Sequence, residues 1–270
     1  MTPIEIRKMA EEQIALKELA GMAAPPSVRL PAFDLSSAYE IAGEIVRIRR
    51  ERGERTVGRK IGFTNRAIWT QYGLDTPIWA HMYEGTVRFA AGDRISLSLA
   101  GLVAPKIEPE IVFKFRSAPA DSDQRSLLSS IEWLAAGYEI VDCHYPGWNF
   151  QPADTVVDFG LHAALVVGTP KTLVGRQDDS LPRCLEEFRI TLLCDGKEEA
   201  SGEGSAVLGG PLSALAYLRD LLREQKAEAL SADEVVTTGT LTAALPVKPG
   251  QTWSTNLQGI DLRPPLLKLL

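Results

Sequence analysis

The pattern with the clearest chemical potential is a pair of glutamates in an apolar run. Glu108 and Glu110 are separated by one residue in the segment 106–115, whose other residues are mostly apolar. Because alternate residues of a β-strand project from the same face, both carboxylates would point the same way. Two carboxylates about 4 Å apart repel by roughly 4 kcal/mol at an effective dielectric near 20, unless a proton or a cation lies between them. A divalent metal ion would remove that repulsion.

A solvated acidic face on an amphipathic strand is the alternative for this pair alone. A third carboxylate favours the metal site. Glu139 lies in a second strand-like run, 137–143, where it shares a face with Val141 and Cys143. An acidic residue on that apolar face again requires a reason.

These segments resemble the 2-keto-4-pentenoate hydratase and 4-oxalocrotonate decarboxylase family of the fumarylacetoacetate hydrolase superfamily. The similarity extends over 57–65, the two glutamate strands, 202–212 and 235–242. It implies metal ligands at Glu108, Glu110 and Glu139, and an active-site lysine at Lys60. An ordinary exposed lysine is the alternative for Lys60, because most lysines lie at the surface.

The ligand chemistry agrees with this resemblance. Three carboxylates without a histidine or thiolate form an all-oxygen site, which suits Mg²⁺ or Mn²⁺ and argues against Zn²⁺. A 2-oxo acid could add a carboxylate oxygen and its ketone oxygen, so that the metal would act as a Lewis acid for an enolate. Hydration of a dienol, decarboxylation of a vinylogous keto acid and cleavage of an acylpyruvate all develop charge on that oxygen.

Four further residues are candidates for substrate binding. The resemblance places Gly239 and Thr240 beside the substrate carboxylate, where glycine lets the backbone approach and threonine offers a hydroxyl; a simple turn is the alternative. Phe63 and Trp79 could line an apolar pocket for the substrate tail, although aromatic residues are more often plain core. His81, His144 and His162 lie among apolar or aromatic residues and are interpreted as packing histidines.

The chain departs from the family pattern near the expected pocket. Many hydratases carry Pro-Asp before an aromatic residue and glycine, whereas this chain reads Pro77-Ile78-Trp79-Ala80. The family usually has Asp-Asn-Ala-Ser where this chain has Asp158-Phe159-Gly160-Leu161. These differences remove an acidic residue and polar groups from the expected pocket. They therefore argue against a hydration reaction.

The sequence predicts a metal-dependent, hydratase-like lyase acting on a small 2-oxo or 2-hydroxydienoic acid in aromatic catabolism. A 4-oxalocrotonate-type decarboxylase is the first alternative, with Arg59 or Arg66 supplying charge for a second carboxylate. A non-catalytic partner subunit that binds 2-oxo acids is the second. The resemblance implies that C–C hydrolases of the superfamily draw a water-activating histidine from an N-terminal lid. No histidine precedes His81 in this chain, which disfavours that branch.

Composition sets the remaining bounds. A chain of 270 residues with 45% hydrophobic residues can bury one large core with an attached subdomain. A net charge of −6 argues against nucleic acid as a partner. No apolar run approaches the roughly 18 residues of a membrane span, so we expect a cytoplasmic protein. The resemblance implies a homo-oligomer, which could associate with a pathway enzyme.

Local signals predict an α+β fold. A capping box at Thr2-Pro3 starts a helix to about Ala20, and Asp34 caps a second helix, which together form a helical subdomain over 1–55. Residues 56–270 form the β-rich catalytic domain, with helices near 127–136 and 212–225 and a hairpin turn at Asp195-Gly196. Only the resemblance implies the superfamily's mixed β-sandwich or roll as the core.

Overall fold

The structure, a computed structural model, describes residues 1–175 and 179–270. Its α-helices are α1 (Pro3–Glu18), α2 (Pro26–Arg29), α3 (Leu35–Glu51), α4 (Trp69–Tyr72), α5 (Gln124–Ser130), α6 (Pro152–Val157), α7 (Leu181–Glu187) and α8 (Pro211–Glu224). Its strands are β1 (Thr56–Gly62), β2 (Ile78–Tyr83), β3 (Val87–Phe89), β4 (Arg94–Leu97), β5 (Lys106–Phe115), β6 (Ile131–Val141), β7 (His162–Val167), β8 (Lys171–Thr172), β9 (Arg189–Cys194), β10 (Lys197–Glu203), β11 (Val235–Thr237), β12 (Leu245–Pro246), β13 (Thr252–Gln258) and β14 (Leu266–Leu269).

The strands form two sheets. The larger sheet has the order β2-β1-β11-β5-β6-β7-β3, with β12 added on β5 and β8 on β6. The smaller sheet has the order β10-β9-β13-β14-β4. A core cluster joins the two sheets, because Tyr138 and Ile140 of the larger sheet pack with Leu192, Trp253 and Leu267 of the smaller one.

The central pair β5–β6 decides which side chains reach the site. One face of β5 carries Ile111 and Phe113 into a core with α8. The alternation of the strand places Glu108 and Glu110 on the other face. The glutamates therefore lie on the side of the sheet that faces away from α8.

The two N-terminal helices begin where the sequence predicts. Thr2 forms a capping box with Glu5 at the start of α1, and the side chain of Asp34 accepts from the backbone N–H of Ser37 at the start of α3. Both helices share a core cluster with β2 and α6. The division of the chain at residue 55 therefore stays a prediction.

One predicted helix is wrong in part. The helix expected near 127–136 ends at Ser130, and the chain continues as β6 from Ile131. The antiparallel pairing of β6 with β5 overrides the local helical preference of this segment. The helix predicted near 212–225 and the turn at Asp195-Gly196 are confirmed.

Ion pairs hold part of the surface charge in this fold. The basic run at the end of α3 forms ion pairs with acids, among them Arg47 with Glu51 and Arg50 with Glu228. Within residues 1–175 and 179–270, none of the helices has both the length and the apolar character needed to cross a bilayer.

Candidate metal centre and active site

Three carboxylates meet on one face of the larger sheet. Glu108 of β5 lies directly opposite Glu139 of β6 in the antiparallel register, and Glu110 follows two residues further along β5. One carboxylate oxygen from each residue lies within 4.8 Å of the others. The structure thus brings together the three acids that the sequence singled out.

Glu110 is held by groups at the end of β11. The Thr237 hydroxyl and the Gly239 backbone N–H, at 2.7 Å, both donate to its Oε2. Gly239 has a φ of +96°, and a β-carbon there would lie 2.0 Å from the Thr64 hydroxyl oxygen. Only glycine allows this close approach of the backbone. The N–H of Gly239 is thus already bound to Glu110. The role that the structure shows for Gly239 is to fix this carboxylate in place.

Glu139 lies between a histidine and the predicted lysine. Its Oε1 is 2.7 Å from Nδ1 of His162, and its Oε2 is 3.1 Å from Nζ of Lys60. Glu139 is 0% exposed and Lys60 is 4% exposed. Lys60 is therefore a buried residue beside the carboxylates, and the alternative of an ordinary surface lysine is excluded.

Two carboxylate oxygens at the centre of the cluster lack hydrogen bonds. Among the described residues, Oε1 of Glu110 and Oε2 of Glu139 are buried without a hydrogen-bond partner. Lys60 is close to the second oxygen but does not meet hydrogen-bond geometry. Buried acceptors without partners cost free energy unless another group satisfies them. An all-oxygen donor set with two such atoms fits a hard divalent cation such as Mg²⁺ or Mn²⁺.

The pKa shifts follow from the same crowding. Burial raises the pKa of the Glu108 carboxyl to about 7, against the attraction of Lys60. Burial and the charges of the other two carboxylates hold the pKa of Glu110 well above its ordinary value. Burial opposes ionisation of Glu139 as well, but Lys60 and His162 outweigh it and lower that pKa. For Lys60, burial disfavours the ammonium, yet the three carboxylates prevail and raise its pKa. One lysine thus does not offset three ionised carboxylates, so ionisation of all three requires a further cation.

The stem of Lys60 has apolar surroundings on the side of β2. Across β1–β2, Lys60 pairs with Ala80 and Gly62 pairs with Ile78, so all four lie on one face. Ile78 is 1% exposed. Gly160 completes the wall, since a β-carbon on it would lie 2.9 Å from Cδ of Lys60. Glu139 is the carboxylate that pairs with the lysine here.

Trp79 lies on the opposite face of the same strand pair. It is paired with Ile61, stacks on Tyr39 with ring centroids 5.4 Å apart, and donates from Nε1 to Gln225. This position separates it from Lys60, because neighbouring strand residues project to opposite faces. Its predicted role in the substrate pocket gains no support from this placement.

Arg59 shares the face of Trp79. Its guanidinium donates to Glu234 at 2.6 Å and to the Glu228 carbonyl at 2.8 Å. It is therefore committed to a structural ion pair on the far side of the sheet. Arg66 is exposed and donates to the Tyr217 hydroxyl, so it is the member of the predicted pair that remains available for a second carboxylate.

The remaining predicted substrate residues follow β1 and β11. Phe63 continues from β1 with a φ of +56° and packs edge-on against Tyr72, at 5.1 Å between centroids. Thr240 follows Gly239, is half-buried, and donates its hydroxyl hydrogen to the Thr242 carbonyl at 2.9 Å. Their contact with a substrate stays a prediction.

Two histidines have more specific partners than the packing role predicted from sequence. His162 contacts Glu139, and Nδ1 of His144 lies 2.8 Å from Asp158. Thr237, which donates to Glu110, was not predicted as a site residue from the sequence. It lies two residues before Gly239, which was predicted to bind substrate. The side chain of His81, in contrast, lies edge-on to Trp79.

Comparisons with known proteins place this site in a family. A 2-keto-4-pentenoate hydratase of Burkholderia vietnamiensis is 34% identical over 239 residues, which are 88% of this chain and 87% of the relative. The chain belongs to the 2-keto-4-pentenoate hydratase and 4-oxalocrotonate decarboxylase family. A 4-oxalocrotonate decarboxylase of Pseudomonas putida is also similar, at 30% identity over 85% of this chain and 84% of the relative. No family profile matches the chain.

Solved structures agree with the family and confirm the predicted fold class. A 4-oxalocrotonate decarboxylase from Pseudomonas putida, complexed with magnesium and adipate, has a TM-score of 0.89 at 26% identity and covers 100% of this chain and 99% of that chain. A fumarylpyruvate hydrolase from Pseudomonas aeruginosa, in complex with Mn²⁺ and pyruvate, has a TM-score of 0.57 at 15% identity over 80% of this chain and 89% of that chain. This second likeness shows the shared fold alone.

Proposed function

We propose that the protein is a Mg²⁺- or Mn²⁺-dependent, hydratase-like lyase that acts on a small 2-oxo or 2-hydroxydienoic acid in aromatic catabolism. The observation that carries this proposal is the convergence of Glu108, Glu110 and Glu139, with two buried oxygens that accept no hydrogen bond, beside the buried Lys60. Family membership supports it, because the named relatives are hydratases and decarboxylases of such acids.

The three glutamates would hold the metal ion. When bound, the ion would supply Lewis-acid stabilisation of negative charge on the oxygen of a 2-oxo acid. The protein's own contribution is a fixed set of carboxylates: Glu110 is tied to β11 through Thr237 and Gly239, and Glu139 is tied to His162. Apolar walls from β2 exclude water from the Lys60 stem.

Lys60 would move the proton. Its raised pKa keeps Nζ protonated near neutral pH, so it starts as a proton donor. A protonated Nζ can deliver a proton to a substrate carbon and recover one when the product leaves, which is general acid–base catalysis. Phe63, Gly239 and Thr240 would bind the substrate around it.

Decarboxylation is the second candidate, favoured by the structural match to the decarboxylase complexed with magnesium and adipate. A 4-oxalocrotonate-type acid has a second carboxylate that needs a cation. Arg59 is paired on the far face of the sheet, so Arg66 would have to supply that charge. Detection of CO₂ from such an acid would separate decarboxylation from hydration.

The decisive experiment follows the dienol absorbance of 2-hydroxypenta-2,4-dienoate with Mg²⁺, with Mn²⁺ and with EDTA. Glu108→Gln should abolish the metal-dependent loss of absorbance, whereas Glu198→Gln, an exposed strand glutamate, should not change it. Full turnover in EDTA after complete metal removal would refute the metal mechanism. Metal and 2-oxo acid binding without turnover of any dienol or decarboxylation substrate would instead support a non-catalytic partner subunit.

We also propose that the protein works in the cytoplasm as a homo-oligomer that docks to a pathway enzyme, as the family resemblance implies. Sedimentation velocity at micromolar concentration tests the assembly. A single species at the mass of one 29.5 kDa chain would contradict it.

A further inference from the structure

The pairing of β6 with β7 contains one irregularity, and it lies beside the metal centre. Glu139 pairs with Leu165 and Ile140 with Ala164, but Val141 pairs with His162, so that one residue, Ala163, is skipped. This is the arrangement of a β-bulge, in which one strand carries an extra residue.

The bulge changes the face on which His162 lies. In a regular antiparallel ladder, Val141 would oppose Ala163, and His162 would project with Ala164 towards the smaller sheet. The observed packing differs, because Ala163 and Ala164 both pack against the cluster between the two sheets. His162 is thereby turned to the face of Glu139, where its Nδ1 meets Oε1.

The ring of His162 is fixed at both nitrogens. With Nδ1–H donated to Glu139, Nε2 of the neutral ring is the acceptor, and the Thr86 hydroxyl lies 2.8 Å from it and 2.8 Å from the Tyr83 carbonyl, so its hydrogen can be donated to either. The backbone is fixed as well, since Nζ of Lys17 in α1 donates to the His162 carbonyl at 2.7 Å. His162 is 2% exposed, so water does not compete for these contacts.

We propose that His162 is a positioning residue: it binds Oε1 of Glu139 and thereby leaves Oε2 as the oxygen directed into the carboxylate cluster. This inference rests on the proposed function, because a defined Glu139 oxygen matters only where a cation binds. Hydrogen-bond partners of ligating carboxylates orient them, and losing such a partner typically costs about 10- to 100-fold in metal affinity.

Two isosteric substitutions can separate positioning from simple packing. In His162→Asn, the side-chain amide nitrogen takes the place of Nδ1 and can still donate to Glu139, while the contact with Thr86 is lost. In His162→Gln, the amide lies near the place of Nε2, so Thr86 is still reached and Glu139 is not. If His162 only filled space, the Asn and Gln variants would bind metal with similar affinity.

The measurement is the Kd for Mn²⁺, followed by electron paramagnetic resonance of the free ion, with unfolding temperatures of the metal-free variants recorded in parallel. We expect His162→Gln and His162→Leu to weaken Mn²⁺ binding by about 10- to 100-fold and His162→Asn to stay within a few-fold of wild type. His81→Leu removes another largely buried histidine, on the opposite face of the sheet from Lys60, and should leave the Kd unchanged.

Equal Kd values for the Asn and Gln variants, with normal binding by wild type, would overturn the inference and leave the proposed function intact. Failure of wild type to bind Mn²⁺ would overturn both. If His162→Leu does not fold, the comparison of His162→Asn with His162→Gln still tests the inference. Because the readout is metal binding, the result holds whether or not a given substrate is turned over.

Discussion

Gly160 lies directly against Ala80, and a β-carbon added to the glycine would stand 2.7 Å from that of the alanine. Gly160 has a φ of +62° and also touches the stem of Lys60. The space between the two residues therefore holds one methyl group, that of Ala80.

This contact predicts coupled substitutions. Gly160→Ala should destabilise the protein by about 1–3 kcal/mol, through crowding and the left-handed backbone. Adding Ala80→Gly should restore part of that loss, so that the double variant is more stable than the sum of the single changes. Urea unfolding of the four proteins in the cycle measures the coupling.

The control is Gly43→Ala in α3, where an added β-carbon meets no described atom within 4 Å. It should leave stability unchanged or raise it by up to about 1 kcal/mol. Additivity of the Gly160 and Ala80 changes to within about 0.5 kcal/mol would contradict this coupling.

Removing the Lys60 ammonium should separate turnover from metal binding. Lys60→Met is expected to lower turnover by about 10²- to 10⁴-fold, the usual range for a lost general acid. Mn²⁺ affinity should hold or rise, because a cation has left the three carboxylates. Lys8→Met, an exposed change on α1, is the control for both assays. Wild-type turnover in folded Lys60→Met would exclude the catalytic role.

The Glu110→Gln substitution should raise the stability of the metal-free protein and lower that of the metal-bound protein relative to wild type. In EDTA, folding forces Glu110 either to ionise beside two other carboxylates or to take up a proton, since its pKa is held well above the ordinary value. Glu110→Gln avoids both costs and keeps an acceptor oxygen for Thr237 and Gly239, so a gain of about 1 kcal/mol is expected. Wild type should gain about 2.7 kcal/mol from Mg²⁺ at 100 times its Kd, and the variant should gain much less. Thermal unfolding in both conditions tests this crossing. A variant that is less stable in EDTA than wild type would show that the repulsion is already relieved.

His81 should make the fold sensitive to mild acid. Burial, and to a lesser degree Arg59 and Arg50, lower its pKa from 6.5 to about 3. Between those values the unfolded chain binds more protons than the folded one, so this part of the stability is complete above pH 6.5 and is lost as pH falls towards 3. From pH 7 to 5 the loss amounts to about 2 kcal/mol.

His81→Gln removes this titration, so the stability difference from wild type should change by about 2 kcal/mol between pH 7 and pH 5. Urea unfolding in EDTA at both pH values measures it, and carboxylates elsewhere cancel in the comparison. Parallel stability curves for the two proteins would mean that His81 is already protonated or freely hydrated in the fold.

Local patterns in the sequence predict much of this fold. The caps at Thr2 and Asp34 depend on neighbouring residues, and the turn at Asp195-Gly196 needs two positive φ angles that these residues adopt. The shared face of Glu108 and Glu110 follows from strand alternation, and the family resemblance adds Glu139 and Lys60. These features were predictable because each depends on short-range geometry or on matched segments.

The rest depends on long-range pairing. The strand at 131–136 forms because β5 lies beside it, and no local pattern shows that partner. Trp79 lies next to Ala80 in sequence but on the other face, so its distance from Lys60 could be judged only once the register of β1–β2 was known. His162 is the hardest case, since a skipped residue reverses the face that alternation assigns to it.

That skipped residue has a consequence for evolutionary comparison. An ungapped alignment through β7 equates residues by their count along the chain, whereas the carboxylates meet whichever side chain the bulge turns towards them. A relative with one residue fewer in this strand would present a different position to its equivalent of Glu139, even if a histidine stood in the same alignment column. Insertions and deletions of one residue here would therefore exchange the neighbour of a metal ligand without altering any ligand itself.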